Sequence, residues 1–254
     1  MSGSAAALTD LVLPRICAGC GEPGAVLCRP CSGWFAVPSV AAPRRVPWGF
    51  PPTVAAGPYA GPVRPAVVAF KDRGRAELVV PLGTALALAV AALVTAAGER
   101  EAMLVPVPSS RAALRSRGRD HVRELADRAT AELRAAGVGA GVARVLVRRG
   151  RVRDSAGLAA HERRANLAGS FAVRGRVPAG LLVVVDDVVT SGATLTEAAA
   201  ALTAARPDGR PVLAAVVAAT PRRAAEATSA SHLGVRRSGR VNTPDRLSER
   251  RVTD

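Results

Sequence analysis

The sequence has few aromatic residues and a single lysine. Phenylalanine, tryptophan and tyrosine make up 3% of the 254 residues, which is poor material for the platforms that stack the bases of single-stranded nucleic acid. Lys71 is the only lysine among 35 lysine and arginine residues, and it does not follow a glycine-rich loop as a P-loop lysine does. No G-x-G-x-x-G motif follows a strand pattern. These absences disfavour an oligonucleotide-stacking fold and exclude a P-loop ATPase and a dinucleotide-binding dehydrogenase.

The sequence also lacks a recognisable targeting segment. Residues 1–10 have neither the basic stretch nor the apolar run of a secretion signal, so we expect a cytoplasmic protein. Residues 78–97 contain no charge and would span about 30 Å as a helix, which is the length of a membrane span. Because much of this run is alanine and Pro81 falls where a first helical turn accepts proline, we expect a core helix and no membrane span.

The net charge is strongly positive at +15, but the composition makes this charge weaker evidence for a nucleic-acid partner. Nearly every cation is arginine, glutamine is missing and Ile16 is the sole isoleucine, a skew typical of GC-rich coding. The charge is therefore modest evidence for a nucleic-acid partner, although its field would attract phosphate-rich ligands.

The length fits one α/β domain with a small appendage. Residues 1–50 carry all four cysteines and show little periodicity, so we interpret them as a zinc-binding head and linker. Residues 51–221 form the predicted core. Residues 222–254 contain eight arginines and four acidic residues with almost no apolar periodicity, which predicts a disordered basic tail.

Strand and helix patterns alternate through the core. Strand patterns cover residues 102–107, 143–147, 181–187 and 211–219, and helix patterns cover 120–136 and 194–205. Strands that are apolar on both faces and alternate with helices indicate a parallel sheet covered on two sides. We therefore predict a doubly wound α/β fold with a mostly parallel sheet.

The four cysteines form two C-x2-C pairs, and their residues are Cys17, Cys20, Cys28 and Cys31. Four thiolates satisfy a tetrahedral Zn²⁺ ion and leave no open position for catalysis, so we predict a structural zinc site. Paired disulfides are the alternative, and a reducing cytoplasm disfavours them. Chelation is expected to unfold this head and leave the core intact.

The strongest local motif lies at residues 181–194, where an apolar strand ends in Asp186 and Asp187 and a turn of small residues opens a helix. Ligands bind at this edge of open α/β sheets. The turn would offer backbone N–H groups and hydroxyls to a phosphate at a helix N-terminus. Carboxylates at a strand end accept hydrogen bonds from vicinal hydroxyls or hold Mg²⁺, but a capped helix without a ligand explains this spacing about equally well.

Several blocks together resemble one known family. They are residues 186–194, residues 70–75 (FKDRGR), residues 104–118 (LVPVPSSRAALRSRG), residues 154–169 (DSAGLAAHERRANLAG) and the four-cysteine head. Their order is similar to that of the ComF family, the competence-associated proteins of the type I phosphoribosyltransferase superfamily. The resemblance covers residues 14–220. It implies the type I phosphoribosyltransferase fold and binding of phosphoribosyl diphosphate together with Mg²⁺.

The resemblance also implies roles for individual residues. Asp186 and Asp187 would bind the ribose hydroxyls, and Asp187 and Arg117 are the candidates for catalysis. The turn that would bind the 5-phosphate consists of Thr190, Ser191, Gly192, Ala193 and Thr194. The loop that would bind the diphosphate consists of Val107, Pro108, Ser109 and Ser110.

Two further segments bear on the resemblance. Residues 148–166 are charged and lie between two strand patterns, which is typical of a lid over a reactive intermediate. Arg119, Asp120 and His121 stand where the family usually has an aromatic residue, asparagine and glutamine. His121 shows no sign of pairing in the sequence.

Two functions remain open from the sequence. The first is an enzyme that transfers ribosyl phosphate from phosphoribosyl diphosphate to an unidentified acceptor. The second is a non-catalytic accessory protein of DNA uptake that binds single-stranded DNA or a DNA-uptake helicase, because a fold does not fix a function.

Overall fold

The computed structural model describes residues 15–149, 169–206 and 208–221, which form a mixed α/β structure. The predicted tail, residues 222–254, lies outside the described residues, as do residues 150–166 of the candidate lid. The described residues are enough to define the sheet and the elements around it.

The first half of the chain contributes three helices and three strands. They are α1 (Arg29–Ser32), β1 (Ser39–Ala41), β2 (Thr53–Pro58), α2 (Val63–Asp72), α3 (Val79–Ala96) and β3 (Glu101–Pro106), with 3₁₀ turns at Gly33–Phe35 and Ala76–Leu78. The elements that follow are α4 (Arg111–Arg117), α5 (His121–Ala135), β4 (Gly139–Val142), β5 (Leu146–Arg148), β6 (Phe171–Val173), β7 (Leu182–Val189), α6 (Ala193–Ala204) and β8 (Leu213–Ala219).

The main sheet has six strands in the order β1-β2-β8-β7-β3-β4. Strand β1 is antiparallel to β2, and the other neighbouring strands are parallel. Strands β5 and β6 form a separate antiparallel pair. The expectation of a mostly parallel α/β sheet is confirmed.

The chain leaves the neighbouring strands β3 and β7 in opposite directions. From β3 it passes through α5 to β4 on one side, and from β7 it passes through α6 to β8 on the other. A crevice forms at the carboxyl ends of two strands whose connections diverge in this way, and ligands of open α/β sheets bind there. The fold thus places a crevice after β3 and β7.

The apolar run of β7 is buried on both faces of the sheet. Val183 and Val185 pack in the larger core cluster with residues of α2, α3 and α5. Leu182 and Val184 pack in the second cluster with residues of α6. Because successive side chains of a strand point to opposite faces, an uninterrupted apolar strand requires cover on both sides.

Helix α3 contains the uncharged run noted in the sequence. Residues Ala76–Ala96 are long and apolar enough to cross a membrane, and 56% of the apolar window is buried inside the protein. The helix packs closely on α5, since a Cβ added at Gly83 would lie 2.4 Å from Cγ of Arg128. A core helix passes the same length test, so this feature is weak evidence for a span, and the expectation of no membrane span stays a prediction.

Two elements differ from the sequence patterns. The strand expected at residues 143–147 is replaced by β4 at the sheet edge and β5 in the small second sheet. The sequence GAGV of β4 lacks the β-branched and aromatic residues that mark a strand, apart from Val142. Helix α4, which follows directly on the loop at residues 107–110, lies outside the helix patterns at residues 120–136 and 194–205.

The N-terminal cysteine segment contacts the core directly. Phe35 is buried in the larger core cluster, and strand β1 extends the main sheet. Nη1 of Arg75 donates a hydrogen bond to the carbonyl of Ile16 over 2.7 Å. The boundaries expected at residues 50 and 221 stay predictions.

Candidate functional site

A cleft of about 360 Å³ opens at the carboxyl ends of β3 and β7. Its walls come from the ends of α2 and β3, from α4, from the start of α5, and from β5 and β7. The lining residues are Tyr59, Lys71, Val107, Pro108, Ser109, Ser110, Ala113, Arg117, His121, Val122, Arg148, Asp186, Asp187, Val188, Thr190 and Thr194. The cleft therefore joins the acid pair to the loop at residues 107–110 and to the ends of the turn at residues 190–194.

Asp187 is buried at the base of the cleft, with 3% of its surface exposed. Its Oδ2 lies 2.7 Å from Nζ of Lys71 and 2.9 Å from Nε2 of His121. Its Oδ1 accepts a hydrogen bond from the N–H of Val188 over 2.7 Å. Both carboxylate oxygens of Asp187 are thus engaged by groups of the protein.

Asp186 is half-buried and lines the same cleft. Its Oδ1 accepts a hydrogen bond from the N–H of Asp187 over 2.8 Å. The main chain thus fixes the carboxyl group of Asp186 near the carboxyl end of β7, where a ligand in the cleft can reach it.

The two neighbouring acids have opposite electrostatic environments. Burial, followed by repulsion from the Asp187 carboxylate, raises the pKa of Asp186 to about 7. Burial alone would raise the pKa of Asp187 as well, but the hydrogen bond from His121 and the charge of Lys71 outweigh it and hold that pKa well below its usual range. Asp187 is the permanently charged member of the pair.

Lys71 responds to the same two acids. Burial alone would lower its pKa, but Asp187 and Asp186 outweigh burial and raise it. The ammonium group is therefore charged in the folded protein, and its side chain is 32% exposed in the cleft.

His121 is paired, contrary to the interpretation from the sequence. It is the first residue of α5, is 3% exposed, and contacts Asp187 across 66 residues of chain. Its Nδ1 is buried without a hydrogen-bond partner among the described residues, and its ring meets Phe70 edge to face. Because this pairing is long-range, no local pattern around His121 could have revealed it.

The turn after β7 begins α6 with a glycine in the left-handed region. Gly192 has φ +77° and caps the helix, and a Cβ at this position would lie 2.8 Å from the ring of Phe50. The first N–H groups of a helix have no partner within it, so they are available to an anion. Thr190 and Thr194 line the cleft, whereas Gly192 and Ala193 are buried, and Ser191 is not among the lining residues.

The loop at residues 107–110 is fixed by hydrogen bonds to its surroundings. The N–H of Val107 donates to the carbonyl of Val185 over 3.0 Å. The hydroxyl of Ser109 lies 3.1 Å from Oδ1 of Asp120. Ser110 caps α4 by accepting from the N–H of Ala113. This loop is a rigid wall of the cleft.

Two arginines complete the cationic lining of the cleft. Nη2 of Arg117 lies 3.0 Å from Oδ1 of Asp72. Arg148 donates from Nε to the carbonyl of Pro108 over 2.8 Å and stacks on the ring of Phe171. Burial lowers the pKa of Arg148, although Asp186 opposes this effect. Their positive charge suits a ligand with several negative charges.

The four cysteines form a second site in the N-terminal segment. Their sulfur atoms lie within 4.8 Å of one another, and all four thiols are free. Tetrahedral zinc with bonds of about 2.3 Å needs sulfurs about 3.8 Å apart, and the sulfurs of Cys20 and Cys28 are 3.6 Å apart. Four cysteines in this arrangement are able to bind a metal such as zinc.

Backbone donors support a thiolate in this cluster. Burial alone would raise the pKa of Cys17, but N–H groups of Cys28, Cys20 and Gly19 lower it to about 6. Burial raises the pKa of Cys31. The backbone packs tightly on one side of the cluster, since a Cβ at Gly19 would lie 2.8 Å from the sulfur of Cys31.

Comparison with family models and with curated proteins identifies no relative. No family model matches the chain, and no curated protein matches it.

The cleft contains most of the residues expected from the sequence and several that were not expected. Both acids, Arg117 and the whole loop at residues 107–110 line it, together with Thr190 and Thr194. Lys71, His121 and Arg148 were not assigned to the site. Lys71 belongs to the FKDRGR motif, which was the one available signal. The assigned roles stay predictions.

Proposed function

We propose that this protein is a type I phosphoribosyltransferase of the ComF kind, which binds phosphoribosyl diphosphate and transfers ribosyl phosphate to a nitrogenous acceptor. The observation that carries the proposal is the cleft at the carboxyl ends of β3 and β7, which combines a carboxylate, a helix N-terminus and three cations. A sugar with phosphate groups at both ends and a diol between them matches all three features.

The ligand would lie across the cleft with each part against one element. The 5-phosphate would meet the turn at residues 190–194, where the helix N-terminus favours a negative charge. The ribose hydroxyls would donate hydrogen bonds to Asp186. The diphosphate would lie against the loop at residues 107–110 and beside Arg117.

The reaction breaks the bond between the anomeric carbon and the diphosphate oxygen, and it forms a bond from that carbon to the acceptor nitrogen. The anomeric carbon gains positive charge as diphosphate leaves with the bonding electrons. The protein would hold the sugar in line with the acceptor and stabilise the departing charge with Arg117 and Arg148. Exclusion of water would protect the activated carbon from hydrolysis.

Magnesium fits this site through one carboxylate. Mg²⁺ prefers carboxylate and phosphate oxygens, and the half-buried Asp186 offers one at the cleft, whereas both oxygens of Asp187 are engaged. When bound with the diphosphate, Mg²⁺ would neutralise part of its charge. We place this chemistry in the cytoplasm, where the cysteines would stay reduced and bind zinc.

Calorimetric titration with phosphoribosyl diphosphate and Mg²⁺ tests the proposal. We expect saturable binding by the wild-type protein and about 10-fold or more weaker binding by Asp186→Asn, because a hydrogen bond to a charged group is lost. Asp127→Asn is the matched control, since Asp127 is an exposed acid of α5 that pairs with Arg144. Equal affinity in the Asp186 and Asp127 variants would contradict the proposal. A screen of nitrogenous acceptors for diphosphate release then tests turnover.

A second candidate function is supported by a separate surface. Trp48 is 97% exposed, and the nearby residues Arg44 and Arg45 are exposed as well. An exposed aromatic side chain beside cations is suited to stacking on a base of single-stranded DNA. We therefore retain a DNA-uptake accessory protein, acting with DNA or with a helicase, as the alternative.

Salt-titrated binding to a fluorescent single-stranded oligonucleotide tests this alternative. We expect affinity to fall steeply with salt concentration if several phosphates are contacted, and Trp48→Ala to weaken binding by about 1–3 kcal/mol. Val46→Ala is the control, because Val46 is exposed nearby but cannot stack. Absence of binding, or equal binding by both variants, would remove the alternative.

A further inference from the structure

Lys71 is the only lysine in a sequence that otherwise uses arginine, so the arginine-rich composition does not explain why a lysine stands at this position. All other basic side chains among the 35 lysine and arginine residues are arginine, and the one lysine lies in the cleft next to two aspartates. It lies in the last turn of α2, and the neighbouring Asp72 pairs with Arg117. The end of α2 is thereby tied to the wall of the cleft that faces a ligand.

The ammonium group of Lys71 has donors to spare. An ammonium group carries three N–H donors, and the ion pair with Oδ2 of Asp187 uses one direction. Its side chain is 32% exposed, and the exposed part borders the cleft together with Ser109 and Arg117. Its remaining donors are therefore accessible to an anionic ligand there.

Asp187 and His121 hold this ammonium group in place. Asp187 is buried and bound on both oxygens, so it acts as a fixed anchor for Lys71. Nε2 of His121 shares Oδ2 with Lys71, and Nδ1 has no acceptor among the described residues. A proton on Nε2 satisfies this arrangement, because that nitrogen then donates to the carboxylate.

We propose that Lys71 binds the diphosphate group of the ligand, and that Asp187 and His121 are positioning residues that aim Lys71 into the cleft. This inference rests on the proposed function for the identity of the ligand. It divides the acid pair into a member that contacts the sugar, Asp186, and a member that acts through Lys71. Asp187 then does not contact the ribose hydroxyls.

The single lysine allows a direct chemical test. Lys71 and the terminal amine of the chain are the only amino groups open to an amine-reactive acylating reagent, and peptide mass mapping separates the two. We expect saturating inorganic diphosphate, and separately phosphoribosyl diphosphate with Mg²⁺, to slow acylation of Lys71 about 10-fold or more, because bound ligand covers the ammonium group. The terminal amine is the internal reference and keeps its rate.

Variants test the positioning role. Lys71→Met should weaken binding of phosphoribosyl diphosphate about 10-fold or more. Lys71→Arg should weaken binding less than Lys71→Met, because arginine keeps the positive charge. It should still weaken binding, because a guanidinium group does not replace the compact ammonium group. His121→Phe should weaken binding and speed acylation of Lys71. His121→Gln should restore both, since its amide can donate to Asp187 as Nε2 does. A role in folding alone would not produce this rescue, and circular dichroism of each variant checks the fold.

The outcomes separate this inference from the proposed function. If phosphoribosyl diphosphate saturates the protein but Lys71 is acylated at an unchanged rate, or Lys71→Met binds as the wild type does, the inference is overturned and the proposed function survives. If inorganic diphosphate protects Lys71 but phosphoribosyl diphosphate binds no more tightly than inorganic diphosphate, the proposed function fails and the inference survives. If neither ligand binds the protein or protects Lys71, both are overturned.

Discussion

At the scale of single residues, two adjacent aspartates of β7 differ in exposure and in pKa because their side chains point to opposite faces of the sheet. Asp186 borders the cleft and has a raised pKa of about 7, whereas Asp187 points to the face that carries α2 and α5 and has a lowered pKa. Neighbouring side chains of a strand point to opposite faces, so adjacency in the sequence gives separation in environment. Asp186 is therefore the acid that a ligand can reach, and Asp187 is the acid that carries the charge of the pair.

The acid pair gives a matched prediction for stability. Between about 3.9, the usual pKa of an aspartate, and about 7, folded Asp186 binds more protons than the unfolded chain does, so the free energy of unfolding falls as pH rises through this window. Asp186→Asn should therefore be more stable than the wild type at pH 8, by about 1–4 kcal/mol, and equal to it near pH 4.

Asp187→Asn is the partner of that test and should act in the opposite direction. Its lowered pKa contributes stability that is present above pH of about 4 and is lost as pH falls further. The variant should lose about 2 kcal/mol at pH 8, because Lys71 and His121 lose their charged partner. Urea unfolding at pH 4 and pH 8 measures both variants, and a destabilised Asp186→Asn at pH 8 would show that the assignment is reversed.

The sequence predicted the acids of the site but not their partners. Asp186 and Asp187 are marked by the end of an apolar strand and a small-residue turn, which is local information. Lys71 and His121 reach Asp187 from other elements, His121 across 66 residues of chain. Such contacts depend on how α2 and α5 pack on the sheet, and no single segment records that packing.

At the scale of elements, the turn between β7 and α6 depends on glycine for two reasons. Gly192 has φ +77°, a conformation that residues with a side chain rarely adopt. It also lies against Phe50 and Pro43, whose atoms would be 2.8 and 3.1 Å from a Cβ. The linker before β2 thus packs on the proposed phosphate-binding turn.

Gly192→Ala should therefore destabilise the protein more than a left-handed glycine that has free space. Gly137 is the control, because it has φ +81° at the end of α5 with nothing within 4 Å of an added Cβ. We expect Gly137→Ala to cost about 1 kcal/mol and Gly192→Ala about 2–3 kcal/mol, and only the latter to weaken ligand binding. Urea unfolding and calorimetry measure the two effects. Equal losses in both variants would mean that Phe50 does not support the turn.

The elements with long apolar runs could be predicted from the sequence, whereas an element with few apolar residues could not. The strands that became β7 and β8 and the helix that became α3 have long apolar runs, which bury against both layers of the fold. Strand β4 has the sequence GAGV, and it is a strand because β3 offers it a free edge with parallel pairing. Pairing with a neighbour decided that element, and its own residues carry little β propensity.

At the scale of the whole molecule, the cysteine segment and the core share contacts that the sequence did not suggest. Phe35, which follows the last cysteine closely, is 3% exposed in the larger core cluster. A Cβ at Gly19 would lie 2.9 Å from Cβ of Pro62, which caps α2. The carbonyl of Ile16 accepts a hydrogen bond from Arg75, just beyond the other end of α2. The helix that carries Lys71 is therefore contacted near both ends by the cysteine segment.

These contacts change the expected result of metal removal. An independent head would unfold on chelation and leave the core as it was, whereas for a head packed on α2 the removal of a bound metal would lower the stability of both. We expect a chelator to shift urea unfolding to lower concentration in two signals together, the fluorescence of Trp34 and Trp48 in the N-terminal segment and the circular dichroism of the core helices. Cys31→Ser should reproduce the shift without chelator, and Ser32→Ala, next to it but outside the sulfur cluster, should not.

Because α2 places Lys71, the metal-free protein should also bind phosphoribosyl diphosphate more weakly under conditions in which its core is still folded. A fluorescence change on chelation with an unchanged unfolding transition in circular dichroism would instead mean that the head and the core fold separately.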